Sequence, residues 1–407
     1  MSLSQKPLTA IQLSEELIPL IVPEIRGNEW KYVKECLDTN WVSSVGSYVD
    51  KFEKMVADQA GTRYAVATVN GTAALHIALI LAGVQADDEV LISTLTFIAP
   101  ANAIRYLGAW PVIIDAESKY WQIDPAGVVD FIENACHWEG QALRNRRTGR
   151  RVSAILPVHI LGHPADLDRI LEVAEKYSLP VIEDATEALG SSYRGKNPGS
   201  MGHAGCFSFN GNKIITTGGG GMLVTDNAEW AARAKYLTTQ AKDDPIEYVH
   251  NSVGYNYRLT NLLAAMGCAQ MEQLATFVEA KRTIARRYQE SLAPLPGLRL
   301  PEEAEGAFSS FWMYTVLIDE KESGIGSREF LRALAARNIQ TRPLWQPIHR
   351  SPAHADGAAA CCPNADAIYS QAISLPCSVG LTRSDQSHVI EVITGLLGKY
   401  NQSTTVG

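Results

Sequence analysis

Between residues 63 and 226 the chain repeats one pattern: a short apolar run, a helical stretch, then another short apolar run. Seven such runs occur, at 63–69, 89–94, 111–115, 153–160, 180–184, 204–209 and 221–225. They are mostly hydrophobic throughout rather than alternating, as strands covered on both faces must be. Between them, residues 72–82 read as a helix ending at Gly83, and residues 166–177 place Leu167, Ile170, Leu171 and Ala174 at helical spacing. A chain patterned this way is expected to fold as an α/β layer around a mostly parallel sheet. Ligands of such sheets gather beyond the carboxyl ends of the strands, so the residues that close each run are where chemistry is expected.

Three of those positions carry it. The first run leads into Asn70-Gly71-Thr72, where a strand feeds a helix. Helix amides and the helix dipole suit a phosphate there, and ordinary N-capping by Asn70 or Thr72 is compatible with that role. The fifth run ends in Glu183-Asp184. An acid at the end of an apolar strand is costly to bury without a cationic partner, and capping the next helix is the alternative. Lys213 sits in a turn between the last two runs, with Ser208 before it and glycines 218 to 221 after it. A phosphate cradle, an acid and an amine nucleophile are together what pyridoxal 5'-phosphate (PLP) requires. The acid would keep the pyridinium nitrogen protonated, and the amine would bind the cofactor and carry a proton.

Other features narrow the possibilities. A nicotinamide oxidoreductase would need Gly-x-Gly-x-x-Gly after the first strand, and Asn70-Gly-Thr-Ala-Ala stands there instead. A net charge of -8 argues against a nucleic-acid or acidic-membrane surface. No apolar run approaches the roughly 20 residues that span a bilayer, and no signal peptide is read at the N-terminus. Seven scattered cysteines without a CxxC pair fit reduced thiols in the cytoplasm. His159 and His163 stand four apart but not on a helix, so no metal site is expected.

Residues 261–288 read as one long helix crossing between domains, and Pro294, Pro296 and Pro301 mark a boundary. The division expected is a large domain over 1–275 and a small α+β domain over 276–407, with the N-terminal segment reaching the small one. In the small domain, 312–318 reads as a strand, and 328–337 and 385–397 as helices. Arg144, Arg146, Arg147, Arg150 and Arg151 crowd around a Thr-Gly turn. They read as a solvated hairpin, or alternatively as an electropositive lip for a nucleotide diphosphate.

The blocks Gly46 to Phe52, Asn70-Gly71-Thr72, Thr96-Phe97 to Asn102, Pro157 to Gly162, Glu183-Asp184 to Glu187, Ser208 to Lys213, Gly254 to Arg258 and Ile373 to Pro376 follow one another in order. In that order and spacing the chain resembles the DegT/StrS-type sugar aminotransferases, a branch of the fold type I PLP enzymes. The resemblance implies a seven-stranded, mostly parallel sheet with a smaller C-terminal α+β domain. It implies Lys213 and Asp184 as catalytic residues, with Gly71, Thr72 and Ser208 around the phosphate. Phe97 would stack on the cofactor ring, with core packing as its alternative. Glu187 stands where many relatives carry Gln or His near the phenolic oxygen. Asn256 would reach the neighbouring subunit's cofactor phosphate, which makes the protein a homodimer with shared active sites. Arg258, Trp345 and His349 would face substrate, with a salt bridge the alternative for Arg258 and core packing for Trp345; Trp312 and Tyr314 are weaker candidates. His159 reads as a satisfied buried histidine.

Lysine at position 213, rather than the histidine of dehydrating relatives, implies transamination. The expected reaction moves the amino group of L-glutamate to a UDP-linked 4-keto sugar in bacterial surface-glycan (lipopolysaccharide) biosynthesis. A basic insertion like Arg144–Arg151 resembles the UDP-4-amino-sugar subgroup, and 4-keto-6-deoxy-N-acetylhexosamine is the sugar expected first. A UDP-4-keto pentose giving 4-amino-4-deoxy-L-arabinose, a 3-keto sugar, and a non-catalytic PLP-fold protein are the alternatives.

Overall fold

The structure is a computed structural model and describes residues 17–244, 246–354 and 361–404. All seven apolar runs are strands: β1 (Tyr64–Thr68), β2 (Glu89–Ser93), β3 (Trp110–Ile114), β4 (Val152–Leu156), β5 (Ile182–Asp184), β6 (Ala204–Ser208) and β7 (Gly221–Thr225). They lie side by side in the order β3-β2-β4-β5-β6-β7-β1, the two halves joined by the parallel bridge Ile155–Val181. β7 is antiparallel to both β6 and β1, and the remaining pairings are parallel. β4 stops at Leu156, earlier than the pattern suggests, because Pro157 has no N–H to continue the ladder. Its carbonyl still accepts from Asp184 N at 2.9 Å, which ties the two strand ends together.

Helices cover both faces. The helix Gly71–Leu81 is apolar nearly all round, and Ala74, Leu75, Ile77, Ala78 and Leu79 are all but inaccessible. On the other face the helix Asp168–Lys176 turns Ile170, Val173 and Ala174 onto Leu91, Ile155 and Val181. Two-sided burial explains why the strands read as continuous apolar runs.

The region 261–288 is two helices, Asn261–Met271 and Leu274–Leu292. No glycine or proline marks the break. The residues around it are claimed from outside: Gln270 Nε2 donates to Glu24 O (2.8 Å), and Glu272 accepts from Asn28 and Tyr32 (both 2.7 Å). The second helix carries the chain to an antiparallel sheet of Leu298–Arg299, Tyr314–Ile318, Ala372–Leu375 and Arg342–Pro343, in that spatial order. Ser327–Ala335 and Arg383–Thr404 are its helices. Ile18 bridges Ile339, and Cys377 N donates to Leu20 O (2.8 Å), so the segment 18–20 runs along this second sheet.

The arginine-rich segment closes a hairpin near the start of β2. Arg151 O accepts from Glu89 N at 2.7 Å, Arg151 pairs with Asp88, Arg144 pairs with Glu139, and Arg150 lies over the Trp110 ring. This is the amino end of the sheet, opposite the end that carries Asp184 and Lys213. Of the two readings of these arginines, the hairpin fits this position: Arg144, Arg150 and Arg151 are engaged by the hairpin and its neighbours, whereas a lip for a nucleotide diphosphate would need the other end of the sheet.

One packing constraint governs the carboxyl end. A Cβ on Gly221 would stand 2.3 Å from Asn70 C, 2.4 Å from Asn70 O and 2.6 Å from Gly71 N. β7 can start beside the turn that opens the helix Gly71–Leu81 only if its first residue has no side chain. Gly221→Ala is expected to lower stability by roughly 1–3 kcal/mol through overpacking. Thermal melting would read this as a drop in Tm.

Candidate active site

β5 presents its last two residues to opposite faces of the sheet. Glu183 points away from the cleft and is fully buried. Its carboxylate accepts from the backbone N–H groups of Gly199 (2.8 Å), Met201 (2.7 Å) and Gly202 (2.6 Å), and from His159 Nε2 (3.0 Å). His159 Nδ1 accepts from Ala165 N (2.9 Å), which assigns the ring as the neutral tautomer protonated on Nε2. His159 is thus the satisfied buried histidine expected. Asp184 points into the cleft and is 2% exposed. Its Oδ1 accepts from Thr186 N at 3.0 Å. Burial raises its pKa above the usual carboxylate value, against the opposing pull of the Thr186 hydrogen bonds and the Lys213 charge.

Gly71 opens its helix at the end of β1. Asn70 Oδ1 caps it by accepting from Ala73 N (2.8 Å), so capping falls to Asn70 and leaves Thr72 facing the cleft. A Cβ on Gly71 would lie 2.9 Å from Ser208 Cβ and 3.1 Å from Thr186 Cγ2. That close approach brings the Ser208 side chain beside the first turn of the helix, whose leading amides have no intrahelical acceptor. The result is an anion cradle of main-chain amides and hydroxyls.

Lys213 reaches the same cleft from the turn after β6. Its Nζ is 3.5 Å from Glu187 Oε1 and 4.3 Å from the centroid of the Trp312 ring. Glu187 is buried, and its Oε2 accepts from Leu161 N at 2.8 Å. Burial raises the Glu187 pKa, with Lys213 opposing. Leu161 adopts a φ of +62°, a costly backbone conformation for leucine that this hydrogen bond helps to hold. Phe97 is 52% exposed and lies on the cleft wall, which rules out core packing and leaves its ring face free for a planar ligand. Trp345, half-buried, lines the cleft as well.

The cleft has a volume of about 300 Å³, at the lower end of the usual range of small-ligand sites. It gathers Gly71, Thr72, Phe97, Asp184, Glu187, Ser208, Lys213 and Trp345. Three predicted residues lie elsewhere. Asn256 is exposed and bridges Thr239 outside the cleft. Arg258 forms no salt bridge among the described residues, and its Nε is buried without a hydrogen-bond partner. His349 is a correction: Nδ1 bonds Thr94 Oγ1 (2.7 Å) and Nε2 bonds Asp366 Oδ1 (3.0 Å), so both ring nitrogens are occupied within the protein. Of Trp312 and Tyr314, Tyr314 is core, whereas Trp312 lines the cleft under Lys213. Thr186 and Asn212 also line the cleft and were not singled out from the sequence, although both flank motifs that were.

An amide cradle for a phosphate, a buried carboxylate that calls for a cation, an open aromatic face and a lysine amine fit PLP group by group. Comparison with known proteins agrees. The DegT/DnrJ/EryC1/StrS aminotransferase family pattern matches residues 23–394. GDP-perosamine synthase of Caulobacter vibrioides is 41% identical over 382 residues, covering 93% of this chain and 98% of the relative. EpsN of Bacillus subtilis, which bears the name of a pyridoxal phosphate-dependent aminotransferase, is 38% identical over 387 residues, covering 93% and 95%. The crystal structure of the aminotransferase TlmJ from Streptoalloteichus hindustanus superposes with a TM-score of 0.85 at 28% identity, covering 95% of this chain and all of that one. The chain belongs to the DegT/DnrJ/EryC1/StrS aminotransferase family and has the fold type I architecture of its PLP-dependent sugar aminotransferases.

Proposed function

We propose that the protein transfers the amino group of L-glutamate to the 4-keto carbon of a nucleotide-linked sugar. The observation that carries this reading is the Lys213 amine, 3.5 Å from Glu187 in a cleft that also holds Asp184 and the Gly71 helix terminus. When bound, PLP supplies the electron sink for the carbanion. The chain supplies the rest. The Gly71 and Thr72 amides and the Ser208 hydroxyl would hold the phosphate, Asp184 would pair with the ring nitrogen, and Phe97 would pack on the ring. Lys213 would hold and move a proton at its Nζ, and Glu187 sits beside that amine, positioned for the phenolic oxygen or the substrate.

The active unit in this reading is a homodimer. The exposed position of Asn256 supports a role in the neighbouring subunit's phosphate site, and Val253, three residues away, is 83% exposed and would be covered by a partner. The partnerless Nε of Arg258 supports an anion-binding role. Trp345 would pack on the sugar. The seven free cysteines support a reducing, cytoplasmic setting.

Two substrates compete. The UDP-linked 4-keto-6-deoxy-N-acetylhexosamine reading drew on the arginine-rich segment, which lies at the far end of the sheet from Lys213. The similarity to GDP-perosamine synthase favours instead the GDP-linked keto sugar corresponding to perosamine. We take the GDP sugar as the first substrate to test and the UDP sugar as the second; either product would serve surface-glycan (lipopolysaccharide) assembly.

The yellow protein is expected to bleach with L-glutamate and, once freed of glutamate, to recover its colour with the GDP-linked 4-keto sugar. Recovery with the UDP sugar alone would reassign the nucleotide, and failure to bleach would overturn the glutamate half-reaction. Lys213→Ala should lose turnover by at least roughly 10²–10⁴-fold, the usual worth of a positioned acid–base group. Asp184 also predicts a pH effect. Its folded pKa lies above the unfolded value of 3.8, so cofactor-free protein should lose stability as pH rises from there through the raised pKa. Asp184→Asn should remove that dependence, raising the Tm of the cofactor-free protein at neutral pH while weakening PLP binding. Calorimetry across pH would check the sign.

A further inference from the structure

The segment that carries Trp345 to the cleft is tied to the carboxyl end of the seven-stranded sheet. Thr94 follows β2 and stands two residues before Thr96 and three before Phe97, both on the cleft wall. Its carbonyl accepts from Ile348 N (2.9 Å), and its Oγ1 pairs with His349 Nδ1 (2.7 Å). The other ring nitrogen, Nε2, donates to Asp366 Oδ1 (3.0 Å), which Arg350 Nε also reaches (2.6 Å). Asp366 is itself fixed. It lies in the first turn of the helix Pro363–Gln371, whose leading amides at Asn364 (3.0 Å) and Ala365 (2.9 Å) donate to the carboxylate of Asp115 at the end of β3. The His349 side chain is 10% exposed, so these partners rather than water hold it.

The ring therefore joins the two sheets. On one side it meets the end of β2 directly and the end of β3 through Asp366. On the other it continues the chain from Arg342–Pro343, an edge strand of the second sheet. Trp345 lies between that strand and the ring, four residues before His349. Hydrogen bonds at both nitrogens fix the ring in position and in rotation, and supports of this kind hold a wall residue in the geometry that a ligand needs. The contact between Thr94 and His349 thus joins the stretch that leads to Phe97 to the stretch that carries Trp345.

We propose that His349 is a positioning residue for the sugar: pinned by Thr94 and Asp366, it holds Trp345 at the distance from Phe97 at which the sugar fits. This rests on the reading of the cleft as the PLP site and of Trp345 as a sugar contact. His349 itself touches no substrate. L-Glutamate has no ring to pack on an aromatic wall. A Trp345 wall that drifts therefore weakens the sugar half-reaction and leaves the glutamate half-reaction as it was.

The test uses holoenzyme and times the two half-reactions separately: bleaching by L-glutamate, and recovery of colour with the GDP-linked or UDP-linked 4-keto sugar, whichever the parent uses. His349→Gln keeps a reach toward Asp366 and loses the bond to Thr94. It should raise the sugar concentration for half-maximal recovery by roughly three- to tenfold, the range that one hydrogen bond sets, and leave the rate of bleaching unchanged. Thr94→Val removes the same bond from the other side and should give the same split. The two together should add little to either alone, and His349→Gln should add little in a Trp345→Leu background, because all act through one contact. Equal losses in both half-reactions would mark a general structural role and overturn the proposal, as would a sugar response equal to the parent's. If His349→Gln does not fold, Thr94→Val decides. Deuterium exchange along 342–350 in the holoenzyme needs no substrate and should be faster in both variants. A parent that reacts with neither sugar overturns the reading of the reaction instead. Exchange then decides the tie alone: faster exchange upholds it and unchanged exchange overturns it.

Discussion

The cleft depends on a carboxylate that never touches substrate. Glu183 is buried without a formal cation, and its charge is carried by three backbone N–H groups and the His159 ring. Such a site forms in one geometry only, because each donor lost would leave a buried charge short of a partner. It anchors the segment 199–202 and the His159 loop to the carboxyl end of β5. Since side chains alternate along a strand, locking Glu183 behind the sheet commits Asp184 to the cleft in front of it.

The opposite wall of the cleft is set by close approach rather than by charge. β7 starts against the Asn70–Gly71 turn with no room for a side chain at Gly221, and the helix begins against Ser208 and Thr186 with little room at Gly71. These contacts bring a helix N-terminus within the same cleft as the Lys213 turn. Charge on one side and sterics on the other thus determine the spacing between the anion cradle and the acid. A flat, two-charged cofactor needs that spacing held rigid.

Much of this was legible in the residue pattern. Strands buried on both faces must be continuously apolar, so all seven could be found, and the residues that close them could be named before any contact was known. Asp184, Gly71, Thr72, Ser208 and Lys213 fall where that logic puts them. The misses have a common cause. His349 reads as a polar residue in a cleft-facing segment, yet Thr94 and Asp366, 255 and 17 residues away, claim its nitrogens. The break between the helices Asn261–Met271 and Leu274–Leu292 has no helix breaker, and its neighbours Gln270 and Glu272 answer to Glu24, Asn28 and Tyr32 at the other end of the chain. Trp312 reads as a strand aromatic, and only its position under Lys213 shows what it touches.

The sequence alone decides the class of architecture and the inventory of reactive groups, because strand burial, helix capping and the choice of lysine over histidine are local matters of periodicity and residue chemistry. Only the folded chain decides which groups share a cleft and in what state. Burial raises the proton affinity of Asp184 and Glu187, exposure leaves Phe97 open to a ligand, and the arginine cluster falls at the wrong end of the sheet to serve the site. Those outcomes turn on contacts between residues tens to hundreds of positions apart, and desolvation is a property of the whole fold rather than of any segment.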